Sequence, residues 1–327
     1  MMEALRHHLR RSIWQVLIWL RKIKLPGFQG MGLYDVLRFF FRALSDSKFT
    51  LLASAMSYQF FFSLFPSLLL AFLILPHFPV AHLEEKALHF ILQFLPISNE
   101  RGLDESDLYA TVQEIVENYF VQGGSPGLIV LSILLAFWGA TRGIIAMMKA
   151  FTKHEEVFKR RNIFELYGMA LLIFMVLAVV ILLAVFGQMG LSTLFDAMQR
   201  LEWMTPGWRG FFSRMTGLLL TAATIFSVIS ILYYLAPATK QRWSFFSPGS
   251  IAAGCLMLIA MIGLRYYFAN FADFDRLYGS LGAIIVLMVW FYYISIMLLI
   301  GFELNAAIDL AAHYEDKEQR ELEGEQA

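Results

Sequence analysis

Residues 278–307, YGSLGAIIVLMVWFYYISIMLLIGFELNAA, decide the architecture of this chain. From Leu281 to Ile300 twenty residues pass without a charge. As a helix rising ~1.5 Å per residue they reach about 30 Å, the thickness of a bilayer's hydrocarbon core. A helix in the core of a water-soluble protein would turn polar residues outward every third or fourth position; none recur here. Glu303 and Asn305 follow, polar groups where a span meets the headgroups. The stretch reads as a transmembrane helix.

Working back from it, five more apolar runs have the same character. The six spans are expected at about 50–75, 127–148, 166–186, 211–235, 250–271 and 281–304, within a transmembrane domain over 49–304. The fold class is all-α, polytopic. With 58% hydrophobic and 16% charged residues, the composition suits such a protein better than a water-soluble one. The net charge of +0 leaves no global basic field for nucleic acid. A single cysteine, Cys255, excludes a disulfide within the chain and a cysteine-based zinc site.

The segments between the spans divide by charge. Residues 1–48 hold nine Lys and Arg against three acids. They carry two amphipathic patterns, around 13–20 and 33–44, separated by Pro26-Gly27. Both read as helices lying in the headgroup region with the apolar side down and the basic residues towards anionic lipid. The eight-residue run 13–20 is too short to span and no cleavage site follows it, so insertion is expected through the internal spans. Residues 77–125 read as a small helical cap, with apolar patterns at 83–95 and 108–119, and 305–327 as an acidic tail. Segments 1–48, 149–165, 237–247 and 305–327 hold 18 of the 26 Lys and Arg, whereas the alternate segments hold 5. The positive-inside rule therefore places both termini in the cytoplasm and the cap outside.

Intramembrane polar residues are the candidate site, because burying them in lipid is costly without a role. Ser54, Ser57, Tyr58, Gln59 and Ser63 lie on span one, ahead of Pro66, which should kink it. Gly139 and Gly143 form a small-xxx-small face on span two that should admit another helix closely. Arg142 lies between them and is expected to point into the bundle. There it would pair with Glu303, or line with it a cytoplasm-facing pocket that includes Gln59, Tyr58 and Asn305. Arg265 and Arg214, near the outer ends of spans five and four, suit snorkelling anchors. Ser125-Pro126-Gly127 and Ser247-Pro248-Gly249 open spans two and five alike, a weak echo of an inverted repeat.

No catalytic constellation emerges. The seven histidines show no HExxH or HxHxD spacing, there is no phosphate-binding loop, and no metal or cofactor is implied. His82 and His89 beside Glu85 suit a solvated helix face.

Residues 53–66 (ASAMSYQFFFSLFP), 137–151 (FWGATRGIIAMMKAF), 232–254 (LYYLAPATKQRWSFFSPGSIAAG) and 277–307 resemble the YihY/BrkB family of bacterial inner-membrane proteins. The last stretch, ending GFELNAA, is the most specific. The resemblance covers about 35–310 and implies six spans, a bacterial inner-membrane location and a role in moving or organising envelope lipids. Many members carry the label "ribonuclease BN"; the chain has no metal-ligand cluster such as a metal nuclease uses. Arg142 has no counterpart in the family pattern, so its role rests on position alone.

Two functions follow as expectations. One is a transporter or flippase-like protein for an anionic amphiphile or envelope lipid, which requires a polar, basic-lined cleft. The other is a non-transporting scaffold organising an envelope complex, with a packed bundle and an apolar patch on the cap. Membrane lipids are the expected partners, with a second copy or an envelope protein open, and no nucleic acid.

Overall fold

The computed structural model describes residues 27–75, 83–92, 110, 114, 126–152, 158, 161–201, 205–239, 243–270 and 281–325. Its named helices are α1 (Leu33–Leu44), α2 (Ser47–Ile74), α3 (Leu83–Leu92), α4 (Pro126–Ala150), α5 (Ile163–Arg200), α6 (Pro206–Leu235), α7 (Pro248–Asn270) and α8 (Leu281–Glu325). Six of them, α2 and α4–α8, are long and apolar enough to cross a membrane. The pattern at 13–20 lies outside the described residues, as does all of 108–119 except Ala110 and Glu114.

Sequence sets the helix ends. Asp46 caps α2 by accepting the Lys48 N–H at 3.0 Å. The Asn162 N–H donates to Glu165 at 3.3 Å, the backward arm of a capping box opening α5. Pro206 starts α6, where a missing N–H costs nothing.

Each span packs on its neighbours in the chain, and α8 returns to α2, so the six close into a ring. Leu131, Leu134 and Leu135 of α4, Leu171 and Val179 of α5, and Ile259 and Ile262 of α7 are exposed on its outside. Water would penalise that girdle; lipid does not. We refer to the side bearing Lys149 and Arg161 as the basic face, and to the side bearing α3 as the cap face.

Three elements differ from expectation, two in extent and one in packing. Helix α5 does not stop near 186 but runs to Arg200, about 57 Å in all. Beyond the bilayer it pairs with the start of α6, through Arg209 Nε donating to Asp196 at 2.9 Å and Phe195 beside Phe212. These contacts outweigh the ~1 kcal/mol cost of each of Gly187 and Gly190 within the helix. Helix α8 runs 45 residues, to Glu325. Residues 305–308 are buried, so only the part from His313 onward is an exposed tail. Finally, α1 does not direct its apolar stripe wholly at lipid. Val36 and Phe28 pack on Ala307, Ile308 and Ala311 of α8, and Phe39 stacks on Tyr314 at 5.5 Å. Phe41 stays exposed.

On the cap face, Leu83, Ala87 and Phe90 of α3 are buried against Leu75, Ala184 and Val185. The apolar stripe of α3 is therefore turned onto the bundle, leaving Lys86 and His89 outward.

Candidate functional site: a hydrocarbon-lined cavity above a polar helix junction

Between the spans of the ring lies a partly open cavity of about 400 Å³ at membrane depth. Phe60 and Leu64 of α2, Ile181 of α5, Ile225 and Val228 of α6, Met257 and Met261 of α7, and Trp290, Phe291 and Ile294 of α8 line it, with Phe90 of α3. Ser63, Ser67 and Thr224 add hydroxyls. Each is spent on its own helix: Ser63 donates to Phe60 O at 3.0 Å, Ser67 to Ser63 O at 2.7 Å and Thr224 to Leu220 O at 2.8 Å. No charged side chain is among the described lining residues. The volume is that of a small-molecule site, but the wall can solvate only hydrocarbon. The polar, basic-lined cleft expected from sequence is not this cavity.

Towards the basic face the cavity ends on an aromatic layer. Phe302 stacks on Phe151 with centroids 4.2 Å apart, and Phe158 and Trp243 contact it at 5.3 and 5.7 Å. Tyr233 joins the layer and donates its hydroxyl to Leu298 O at 2.6 Å. These rings come from two loops and two helices, and only burial together gives them a reason to be aromatic.

Below the layer α7 and α8 cross at two glycines. A Cβ on Gly249 would lie 2.1 Å from Gly301 O, and one on Gly301 2.4 Å from Gly249 O. The approach brings Asn305 onto the start of α7. Its Oδ1 accepts the Gly249 N–H at 2.8 Å and its Nδ2 donates to Ser247 Oγ at 2.8 Å. One turn on, Asp309 accepts from Trp243 Nε1 at 2.8 Å and from Gln29 Nε2 at 2.9 Å. Beside this junction Arg161 donates to the carbonyls of Ala236, Leu235 and Pro237, capping the C-terminus of α6 with a cation. Burial lowers the pKa of Arg161, and the charge of Glu165 acts the other way.

The residues singled out from sequence separate. Gly139 and Gly143 do meet α2: a Cβ would come 2.6 Å from Pro66 Cγ at the first and 2.7 Å from Ser63 Oγ at the second. Helix α2 continues through Pro66. Arg142, however, is exposed, with its guanidinium 4.7 Å from the Trp138 ring, i and i+4 on the outer face of α4. The expectation that it points inward is corrected: the face it shares is that of Trp138, not that of the glycines. Glu303 is buried at 1%. Tyr58 is half-exposed and packs on Phe62 at 4.5 Å, and Gln59 is partly buried. Asn305 does line a pocket, but with Trp243, Ser247, Gln29 and Asp309 rather than with Arg142, Tyr58 or Gln59. Arg265 is exposed beside Tyr266 and Tyr267 at the cap-face end of α7, where an interfacial anchor belongs. The shared Ser-Pro-Gly opening does not carry into packing, since a Cβ on Gly127 would meet nothing within 4 Å. Sequence reasoning missed Trp243, Asp309, Arg161 and the Gly249/Gly301 crossing. A Gly-xxx-Asn spacing at 301–305 and a Gly-xxx-Ala at 249–253 were the available signals.

Comparison with known proteins agrees with this architecture. The family model for virulence factor BrkB matches residues 40–325. The ribonuclease-like protein YfkH of Bacillus subtilis (strain 168) is 28% identical over 269 residues, 78% of this chain and 88% of that protein. A UPF0761 membrane protein of Aliivibrio fischeri (strain ATCC 700601 / ES114) is 26% identical over 279 residues, covering 84% of this chain and 83% of its own. A second UPF0761 membrane protein, VP0125 of Vibrio parahaemolyticus, is 25% identical over 285 residues, 85% and 83% of the two chains. No solved structure matches the chain. The chain belongs to the BrkB family, as an all-α membrane protein with six membrane-spanning helices.

Proposed function

We propose that the protein handles an envelope lipid of the bacterial inner membrane by taking a hydrocarbon chain into the ring of spans. The observation that carries this reading is the cavity, about 400 Å³ at membrane depth, with a wall of Phe, Ile, Leu and Met side chains and hydroxyls already committed to carbonyls. Such a wall favours an acyl chain and penalises a headgroup. The headgroup therefore stays outside the ring, and the excess of Lys and Arg on the basic face draws anionic lipid to that side. Transport would be chain-led, with the polar part passing along the bundle surface.

The test is photocrosslinking with an acyl-diazirine phospholipid in reconstituted membranes. Crosslinks on α2, α6 and α8 peptides that face the cavity are expected, and Ser67→Phe or Thr224→Phe, which fill it, should cut them several-fold in protein that stays folded. Crosslinks confined to the outer girdle at Leu134, Leu171 and Ile259 would sink the proposal and leave an anchored framework.

A further inference from the structure

On the basic face, on the other side of the aromatic layer from the hydrocarbon cavity, a second cavity of about 490 Å³ is lined by Asp309, Asn305, Ser247, Ser244, Trp243 and the turn at Gln29. Its polar groups converge in an unusual state. The two oxygens of Asp309 each accept one hydrogen bond, from the neutral donors Trp243 Nε1 and Gln29 Nε2. No cation pairs with this carboxylate among the described residues, and each oxygen keeps a free lone pair. Ser247 is 2% exposed. Its Oγ accepts from Asn305 Nδ2 at 2.8 Å and from Ser250 N at 3.2 Å, so its own proton is uncommitted among the described residues. Among the described residues the cavity thus offers an anion without a counter-charge together with a hydroxyl donor without an acceptor.

From this pairing we propose that the cavity binds a primary ammonium group whose carbon chain also bears a hydrogen-bond acceptor, as in an amino alcohol or its phosphate ester. The ammonium supplies three N–H donors and a positive charge to Asp309, and the acceptor takes the Ser247 proton. A quaternary ammonium fits worse, because it has charge but no N–H. Two sources share this chemistry: an aminoethyl lipid headgroup and a free amine. Exposed Phe245 and Phe246, between the cavity-lining Ser244 and Ser247, suit a mouth set at the lipid interface. The proposal stands apart from the hydrocarbon cavity, and its test does not use it.

The experiment is a binding titration on full-length protein in nanodiscs of phosphatidylglycerol. The probes are ethanolamine, phosphoethanolamine, choline and ethylene glycol, the last a neutral isostere of ethanolamine. Binding of ethanolamine or phosphoethanolamine at least tenfold tighter than of ethylene glycol and choline is expected, and Asp309→Asn should remove that preference. In nanodiscs containing phosphatidylethanolamine, loss of the soluble-amine response identifies the lipid headgroup as occupant; an unchanged response identifies a free amine. Equal binding of ethanolamine and ethylene glycol by the native protein, or no binding of any probe in either nanodisc, overturns the proposal even if the Asp309 variant fails to fold.

Discussion

Asn305 on α8 closes the N-terminus of α7 at Gly249, its Oδ1 accepting the Gly249 N–H at 2.8 Å from 56 positions further along the chain. The first N–H groups of a helix have no partner within it, and at a dry interface water does not serve them. Here a neighbouring span supplies the acceptor. The same amide donates to Ser247, which accepts the Ser250 N–H, so one side chain organises the whole first turn. The conspicuous GFELNAA ending of span six is therefore a helix-to-helix junction.

Asn305→Leu should cost about 1–3 kcal/mol, because it strands a buried donor as well as removing two bonds. The expected readout is a lower thermal midpoint in detergent, with Ser247→Ala lowering it less. An Asn305→Leu midpoint equal to the native one would show that the turn finds another acceptor.

Gly249→Ala and Gly301→Ala should each abolish folded protein or nearly so. The added methyl meets backbone oxygen at 2.1 and 2.4 Å, and a carbonyl in the facing helix has nowhere to rotate. Gly168→Ala, with nothing within 4 Å, should be neutral or gain up to about 1 kcal/mol from helix propensity. Membrane yield and monodispersity of the three proteins measure the contrast; three equal yields would contradict the close crossing.

Arg161→Met removes the cation on the α6 C-terminal carbonyls and should destabilise the basic-face loops by about 1–2 kcal/mol. Limited proteolysis within 153–162 should accelerate. Arg161→Lys should recover only part, since a single ammonium does not match the fork that reaches three carbonyls.

Arg142→Gln should change stability by less than about 1 kcal/mol and leave lipid crosslinking unaltered. The guanidinium lies on Trp138 at the exterior of α4, an arrangement worth about 0.5–1 kcal/mol. A large loss would restore an interior role.

Several parts of this molecule were readable directly. Leu281 to Ile300 could be nothing but a span, because uninterrupted apolarity over a bilayer's thickness has no other stable environment. Gly139 and Gly143 marked a close approach because small residues four apart clear a groove, and Pro66 of α2 fills it. Arg142 was misplaced by the same reasoning. It follows Trp138 by four positions, and that neighbour outside decides its direction more than Gly139 and Gly143 do. Trp243 and Asp309 carried no signal at all, being 66 positions apart and each ordinary where it stands.

The amino-acid sequence by itself determined that six helices cross a membrane, since transfer of each apolar segment into lipid is a local property summed along the chain. Only the tertiary structure decided that they close into a ring beside a cavity lined by apolar side chains, and which polar groups meet beneath it. Those outcomes depend on helix rotation and on contacts between residues far apart in sequence. A one-dimensional pattern does not encode them, because a rotation of one residue, about 100°, exchanges an inward face for an outward one.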